Sequence, residues 1–288
     1  RQIVESIITH DIYRHSTSLS MQHEVLTIQS DLTKKPHQNV NQDEQDEALL
    51  LFYQEFLIGS ISKLLKKHGK NIEQCDVHTQ AEYIRKWMNS EKGQNELFDY
   101  YEIVIEEYGL DRAPNEISLF TKLKYLDLRR TDNVKSLTNM GNLVFLKSLN
   151  LSKCDLKEIP EWVKHLTNLE ELYLDENKLT EIPEWLGKLP NLRKLSMTNN
   201  SLKVGLKEAP EWVRHLTKLE ELYLDKNQST KIPEWLGKLP KLRKLSMTNN
   251  NLRGEIPSSL CQSKSLQELN LKGGNNKISC EHSEYSDI

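Results

Sequence analysis

The chain has 288 residues, 45 of them leucine, with 28% charged residues and a formal net charge of -3. Such a near-neutral balance gives no electrostatic footprint for nucleic acid, and no segment approaches the roughly 18 apolar residues of a membrane span. Four scattered cysteines, Cys75, Cys154, Cys261 and Cys280, form no CxxC pair and suit a reducing compartment. No basic stretch followed by an apolar one opens the chain, which starts at Arg1.

Composition changes near residue 99. The first 99 residues hold 10 leucines and 11 Lys+Arg against 15 Asp+Glu, whereas the remaining 189 hold 35 leucines and 28 against 27. Two regions are therefore expected: a helical N-terminal region over 1–99 and a second region over 100–281, followed by a short tail over 282–288. In the first region, residues 3–13 and 19–32 are weak helical candidates. Residues 33–45 are polar with one proline and read as a loop or linker. Residues 46–67 have an acidic start, a basic end and apolar residues at helical spacing, which predicts a long helix. Residues 78–89 predict a second amphipathic helix burying Ile84, Trp87 and Met88.

From Tyr100 onward a unit recurs: LxxLxL, two variable residues, an Asn-like position, one variable residue, an apolar residue and then Ile-Pro. Units start at Tyr100, Leu123, Leu146, Leu169, Leu192, Leu219 and Leu242, with a partial unit from Leu266. The spacings are 23, 23, 23, 23, 27, 23 and 24. Alternate residues of LxxLxL fall on one face, which is strand periodicity. Ile159-Pro160, Ile182-Pro183 and Ile232-Pro233 open the return segment, where proline fixes φ and gives up a donor. Stacked units share a core that no single unit could bury.

This pattern resembles the leucine-rich repeat family over residues 100 to about 280. The resemblance implies an α/β solenoid, a horseshoe with one short parallel strand per unit, preceded here by an α-helical region. In that family the Asn-like positions, here Cys154, Asn177, Asn200, Asn227 and Asn250, form a ladder to backbone groups of neighbouring turns. Thr131 and Gly274 match imperfectly, so the ladder is expected to weaken at both ends. Residues 81–122 are similar to the entry into the repeats of leucine-rich repeat effectors of intracellular bacteria, where an IRxW helix caps the first strand. That likeness implies a cap packed on the first strand, with Trp87 as its contact. Leu252 to Pro257 resembles the LxGxIP variant of plant repeats.

Residues 158–202 and 208–252 align without gaps, with 36 of 45 positions identical, which is the mark of a duplicated two-unit block. The four extra residues around Lys203, Val204, Gly205 and Leu206 are expected to bulge on the return side. Ser229 replaces Leu179 at an inward position and predicts a local packing defect, partly relieved by hydration. Trp162, Trp185, Trp212 and Trp235 recur once per unit and read as packing between units.

Solvent-facing strand positions line the concave surface, where the resemblance places partner binding. One row runs Tyr125, Ser148, Glu171, Lys194, Glu221, Lys244, Glu268, and its last five members alternate in sign. A neighbouring row, Glu170, Arg193, Glu220, Arg243, alternates too. Self-pairing along these rows would leave Tyr173 and Tyr223 as exposed aromatic anchors, the residue type enriched at hot spots. Ser196 between them leaves a groove, flanked by the acceptors Asp175 and Asp225. The partner expected there is a protein offering an apolar ridge with Lys or Arg nearby. No GxSxG, P-loop, GxGxxG or HExxH occurs, so no catalytic residue, metal or cofactor is expected. The reading is a non-enzymatic protein-interaction module, similar to effectors that bind a host protein, acting in the cytoplasm or secreted into a host cell. A ubiquitin-ligase substrate adaptor and the recognition fragment of a larger enzyme stand as alternatives.

Overall fold

The LxxLxL alternation produces one three-residue strand per unit. In the computed structural model, which describes residues 40–56, 75–97, 100–105, 110–203 and 215–279, these strands are β1 (Glu102–Val104), β2 (Tyr125–Asp127), β3 (Ser148–Asn150), β4 (Glu171–Tyr173), β5 (Lys194–Ser196), β6 (Glu221–Tyr223), β7 (Lys244–Ser246), β8 (Arg253–Glu255), β9 (Glu268–Asn270) and β10 (Lys277–Ser279). Eight of them form one parallel sheet in the order β1-β2-β3-β4-β5-β6-β7-β9. The central apolar residues, from Ile103 through Leu126, Leu149, Leu172, Leu195 and Leu222 to Leu245, are at most 2% exposed. The register crosses the 27-residue spacing without slipping, since Lys194 pairs directly with Glu221. The bulge predicted after Lys203 lies outside the described residues, as does Trp212.

Strands β2 to β7 are each followed by a residue in the left-handed region, at Arg130, Lys153, Glu176, Asn199, Lys226 and Asn249, with φ between 52° and 60°. This turn aims the next side chain inward. There Asn200 accepts from Leu179 N (3.0 Å) and donates to Leu174 O and Met197 O (3.0 and 3.1 Å). Asn177, Asn227 and Asn250 repeat the arrangement. Each rung thereby satisfies buried backbone groups of two adjacent turns. Cys154 substitutes through an Sγ contact to Leu128 O at 3.1 Å. At the N-terminal end the ladder does weaken: the Thr131 hydroxyl is buried and has no partner among the described residues. At the C-terminal end the expected weakening does not occur. Gly274 adopts φ 63° and bridges to Asn250, where a Cβ would stand 2.7 Å from Asn249 Cα. Asn276, two residues later, supplies the rung instead, accepting from Leu252 N (2.9 Å) and donating to Met247 O (3.1 Å).

Prolines 160, 183 and 233, with φ near -60° to -70°, precede short 3-10 turns that form the return side. Trp235 is buried and Trp162 and Trp185 are half-buried. The Trp162 indole donates to Val134 O of a preceding unit at 3.2 Å, so it packs between units. Ser229 is fully buried, and its hydroxyl donates to Leu202 O at 3.4 Å. The LxGxIP unit adds a second parallel pair, β10 with β8.

The helical unit comprises α1 (Val40–Phe56), α2 (Val77–Met88), α3 (Glu91–Leu97) and the segment Ala113–Leu119. Helix α1 begins six residues before the predicted start, so residues 40–45 are helix and not linker. Their polarity misleads because part of it is buried and satisfied. Gln45 Oε1 accepts from Asn115 N at 3.0 Å. Asp46, 1% exposed, meets Arg85 Nη1 at 2.5 Å, His78 Nδ1 at 2.6 Å and Gln42 Nε2 at 2.8 Å. Arg85 Nε also pairs with Glu116 at 2.6 Å. Helix α2 is capped by Asp76, whose carboxylate accepts from Thr79 N at 2.8 Å, and that bond lowers its pKa. Ile84, Trp87 and Met88 are buried as predicted, together with Ala81 and Tyr83. The helical candidates over 3–13 and 19–32, and residues 57–67, lie outside the described residues.

Candidate functional site: the open face of the sheet

The outward strand positions bring the predicted residues into register. Glu102, Tyr125, Ser148, Glu171, Lys194, Glu221, Lys244 and Glu268 are successive pairing partners across the eight strands. Parallel neighbours stand about 4.8 Å apart, so opposite charges in this row can meet. Lys194 pairs with Glu221 at 3.5 Å and Lys244 with Glu268 at 2.7 Å. That second contact raises the Lys244 pKa and lowers that of Glu268. The neighbouring row pairs as well: Lys147 with Glu170 at 2.8 Å and Arg193 with Glu220 at 2.7 Å. Among the described residues Glu171 pairs with no cation; it accepts instead from Ser148 Oγ and from the Tyr173 hydroxyl, each at 3.1 Å.

Tyr173 and Tyr223 do flank Ser196, and a groove of about 540 Å³ opens between them, lined also by Asp175, Lys194 and Lys226. The rings differ from the expectation in one respect: they are half-buried. Lys194 lies two residues before Ser196 on the same strand, and its long side chain extends between the rings. Its ammonium sits 5.4 Å from the Tyr173 centroid and 5.5 Å from the Tyr223 centroid, a cation–π arrangement on both sides. Burial works against the Lys194 ammonium, but Tyr173, Glu221 and Tyr223 outweigh it and hold the pKa above the ordinary lysine value. Both tyrosine pKa values are raised, first by burial and then by Glu171 and Glu221, which their hydroxyls bond.

Asp175 and Asp225 are also less available than expected. Asp175 Oδ1 accepts from Ser196 Oγ (2.5 Å) and Thr198 N (2.7 Å). Asp225 Oδ1 accepts from Ser246 Oγ, Thr248 N and Thr248 Oγ1, and does not line the groove. Both carboxylates tie one strand's exit to the next. Tyr125, in contrast, is 47% exposed. Sequence reasoning missed its exposed neighbour Tyr101, and Phe145 before β3. Both stand in variable positions of their units, which was the signal available.

A family model described as leucine-rich repeat region matches residues 104–286. The chain belongs to the leucine-rich repeat family. No curated protein matches it. Among solved structures, this leucine-rich repeat chain is similar to internalin C2 from Listeria monocytogenes at 25% identity and a TM-score of 0.51, over 62% of this chain and 74% of that one. It is similar to the ectodomain of the Arabidopsis receptor kinase HAESA, solved with a peptide hormone, at 34% identity and a TM-score of 0.48, over 58% of this chain and 28% of that one. A leucine-rich repeat protein of Leptospira interrogans is similar at 26% identity and a TM-score of 0.42, over 66% of this chain and 58% of that one. This chain spans less than two thirds of the latter two. Among the described residues no helix is long and apolar enough to cross a membrane.

Proposed function

We propose that this leucine-rich repeat protein is a non-enzymatic module that binds another protein through the open face of its eight-stranded sheet. The observation that carries the reading is the ordered face itself: eight strands in one register, charge rows that largely neutralise themselves, and tyrosines at Tyr125, Tyr173 and Tyr223. Paired surface charges contribute little to folding, so the face supplies a flat, preorganised platform with aromatic contact points. Its site comprises these tyrosines with Glu171, Lys194, Glu221, Lys244, Asp175 and Asp225. The likeness to internalin C2, and that of residues 81–122 to bacterial effectors, supports an effector-like role toward a host protein.

The test is selection of a displayed random peptide library on the intact chain and on the triple variant Y125A/Y173A/Y223A. The reading expects peptides enriched on the parent chain and lost on the variant, with melting temperature little changed. Equal enrichment on both would move binding away from this face.

A further inference from the structure

The two copies of the duplicated block have diverged in charge. Residues 158–202 hold five Lys+Arg against eight Asp+Glu, whereas residues 208–252 hold eight against six. Lys226 and Lys231 stand where the first copy has Glu176 and Glu181, and Gln228 stands where it has Lys178. These positions lie on the flank that follows the strand exits. In the first copy that flank pairs its charges across units: Lys135 with Glu158 at 3.6 Å, Lys153 with Glu176 at 3.1 Å, and Lys178 with Asp155. In the second copy, among the described residues, Lys226 and Lys231 pair with no carboxylate.

Backbone pairing then lines like charges up. Lys277 of β10 is in register with Arg253 of β8, which sets them about 4.8 Å apart. Arg253 N donates to Thr230 O at 2.9 Å, beside Lys231. Three exposed cations from successive units therefore form one row. No other described strand pair sets two like charges in register; on the large sheet Lys194 faces Glu171 and Glu221, and Lys244 faces Glu221 and Glu268. Glu234 and Glu255 are the carboxylates closest to the row along the chain, and among the described residues neither forms an ion pair. Like charges side by side destabilise a sheet. The fold does not require them: fifty positions earlier, Glu181 and Lys203 are opposite in sign. The row is a cost to the free chain, and a bound anion offsets it.

We infer that Lys231, Arg253 and Lys277 form a docking row for a short acidic segment of a protein partner. It is a second surface, apart from the open sheet face, and does not rest on the reading of that face. The Arg253 guanidinium can take one carboxylate through two parallel N–H bonds, and the ammonium groups of Lys231 and Lys277 take those on either side. A short segment suits the site better than a long polyanion. The row spans roughly two strand spacings, about 10 Å. Glu255 follows it on β8, the first copy of the block is acidic, and the whole chain carries -3. That surrounding field repels an extended polyanion while the row admits a few carboxylates.

The test follows the fluorescence anisotropy of labelled hexaglutamate with the intact chain, with K231E/R253E/K277E, and with K188E/K238E/K264E. The last variant changes net charge equally at exposed lysines outside the row. The parent chain should bind the peptide, and more weakly as salt is raised. The row variant should weaken binding by about tenfold or more, and the control variant should leave it within about threefold. K231E alone restores the glutamate of the first copy; it should raise the melting temperature while weakening the peptide, which keeps the test open should the triple variant fail to fold. Affinity lost equally in both triple variants, no binding to the parent chain, or tighter and row-dependent binding of the polyanion heparin would each overturn the inference.

Discussion

The helical unit and the repeat unit both bury polar groups, and they satisfy them by opposite means. In the helical unit the solution is ionic and irregular: Asp46 gathers Arg85, His78 and Gln42, and Arg85 reaches on to Glu116. In the repeat unit the solution is neutral and periodic: one asparagine amide per turn, or Cys154 where asparagine is absent. Removing one partner of a buried ionic cluster strands a charge, whereas removing one rung strands neutral amides. The two units should therefore fail by different amounts and in different ways.

The largest effect is expected at Asp46. D46A removes the most buried partner of Arg85, leaving it Glu116 alone, and should cost about 3 kcal/mol. Hydrogen exchange should accelerate across Val77–Met88 while the strands β4–β7 keep their protection. Asn200 comes next. N200A unpairs Leu179 N and removes one of two amide donors from the Leu174 and Met197 carbonyls, which keep Asn177 and Asn227, and should cost about 1–2 kcal/mol in urea denaturation. A cost at Asn200 exceeding that at Asp46 would reverse the comparison. S229L should act in the opposite direction. The duplicated block accommodates Leu179 at the equivalent position, so added apolar burial should stabilise by about 1–2 kcal/mol, less whatever the lost bond to Leu202 O contributed.

The smallest effect concerns alkaline pH. Tyr173, Tyr223 and Lys194 all have folded-state pKa values raised above their ordinary 10.0 and 10.5. Groups with raised values contribute stability that is fully present below the unfolded pKa and lost as pH rises through the folded one. Stability should therefore decline above about pH 10. Ultraviolet phenolate titration should show late-ionising tyrosines that disappear in Y173F/Y223F. A titration identical in parent and variant would contradict the arrangement around Lys194.

The periodic unit was also the legible one. Repeat length, strand positions and the register of the Tyr125-to-Glu268 row followed from the sequence, because each structural solution recurs and so stands out against a variable background. The beginning of α1 did not follow. Gln45 and Asp46 are polar, and only their contacts with Asn115 and Arg85, distant in sequence, make them interior residues. The Asn276 rung was missed because the last unit shifts its ladder position by two. The Tyr173–Tyr223 groove was placed correctly, but its occupancy by Lys194 depends on side-chain length and reach, which a row-by-row reading of charge overlooks. The αL residue before the rungs from Cys154 to Asn250 was equally invisible, since Lys, Glu and Asn share that role without a compositional mark.

The central claim, that the open sheet face and not the helices receives the partner, is tested most directly by hydrogen exchange on the intact chain with and without a selected peptide. Protection gained at Glu102–Val104, Tyr125–Asp127 and Ser148–Asn150, extending toward Glu221–Tyr223, is the predicted result. Protection confined to Val40–Phe56 and Val77–Met88, with the strands unchanged, would contradict it.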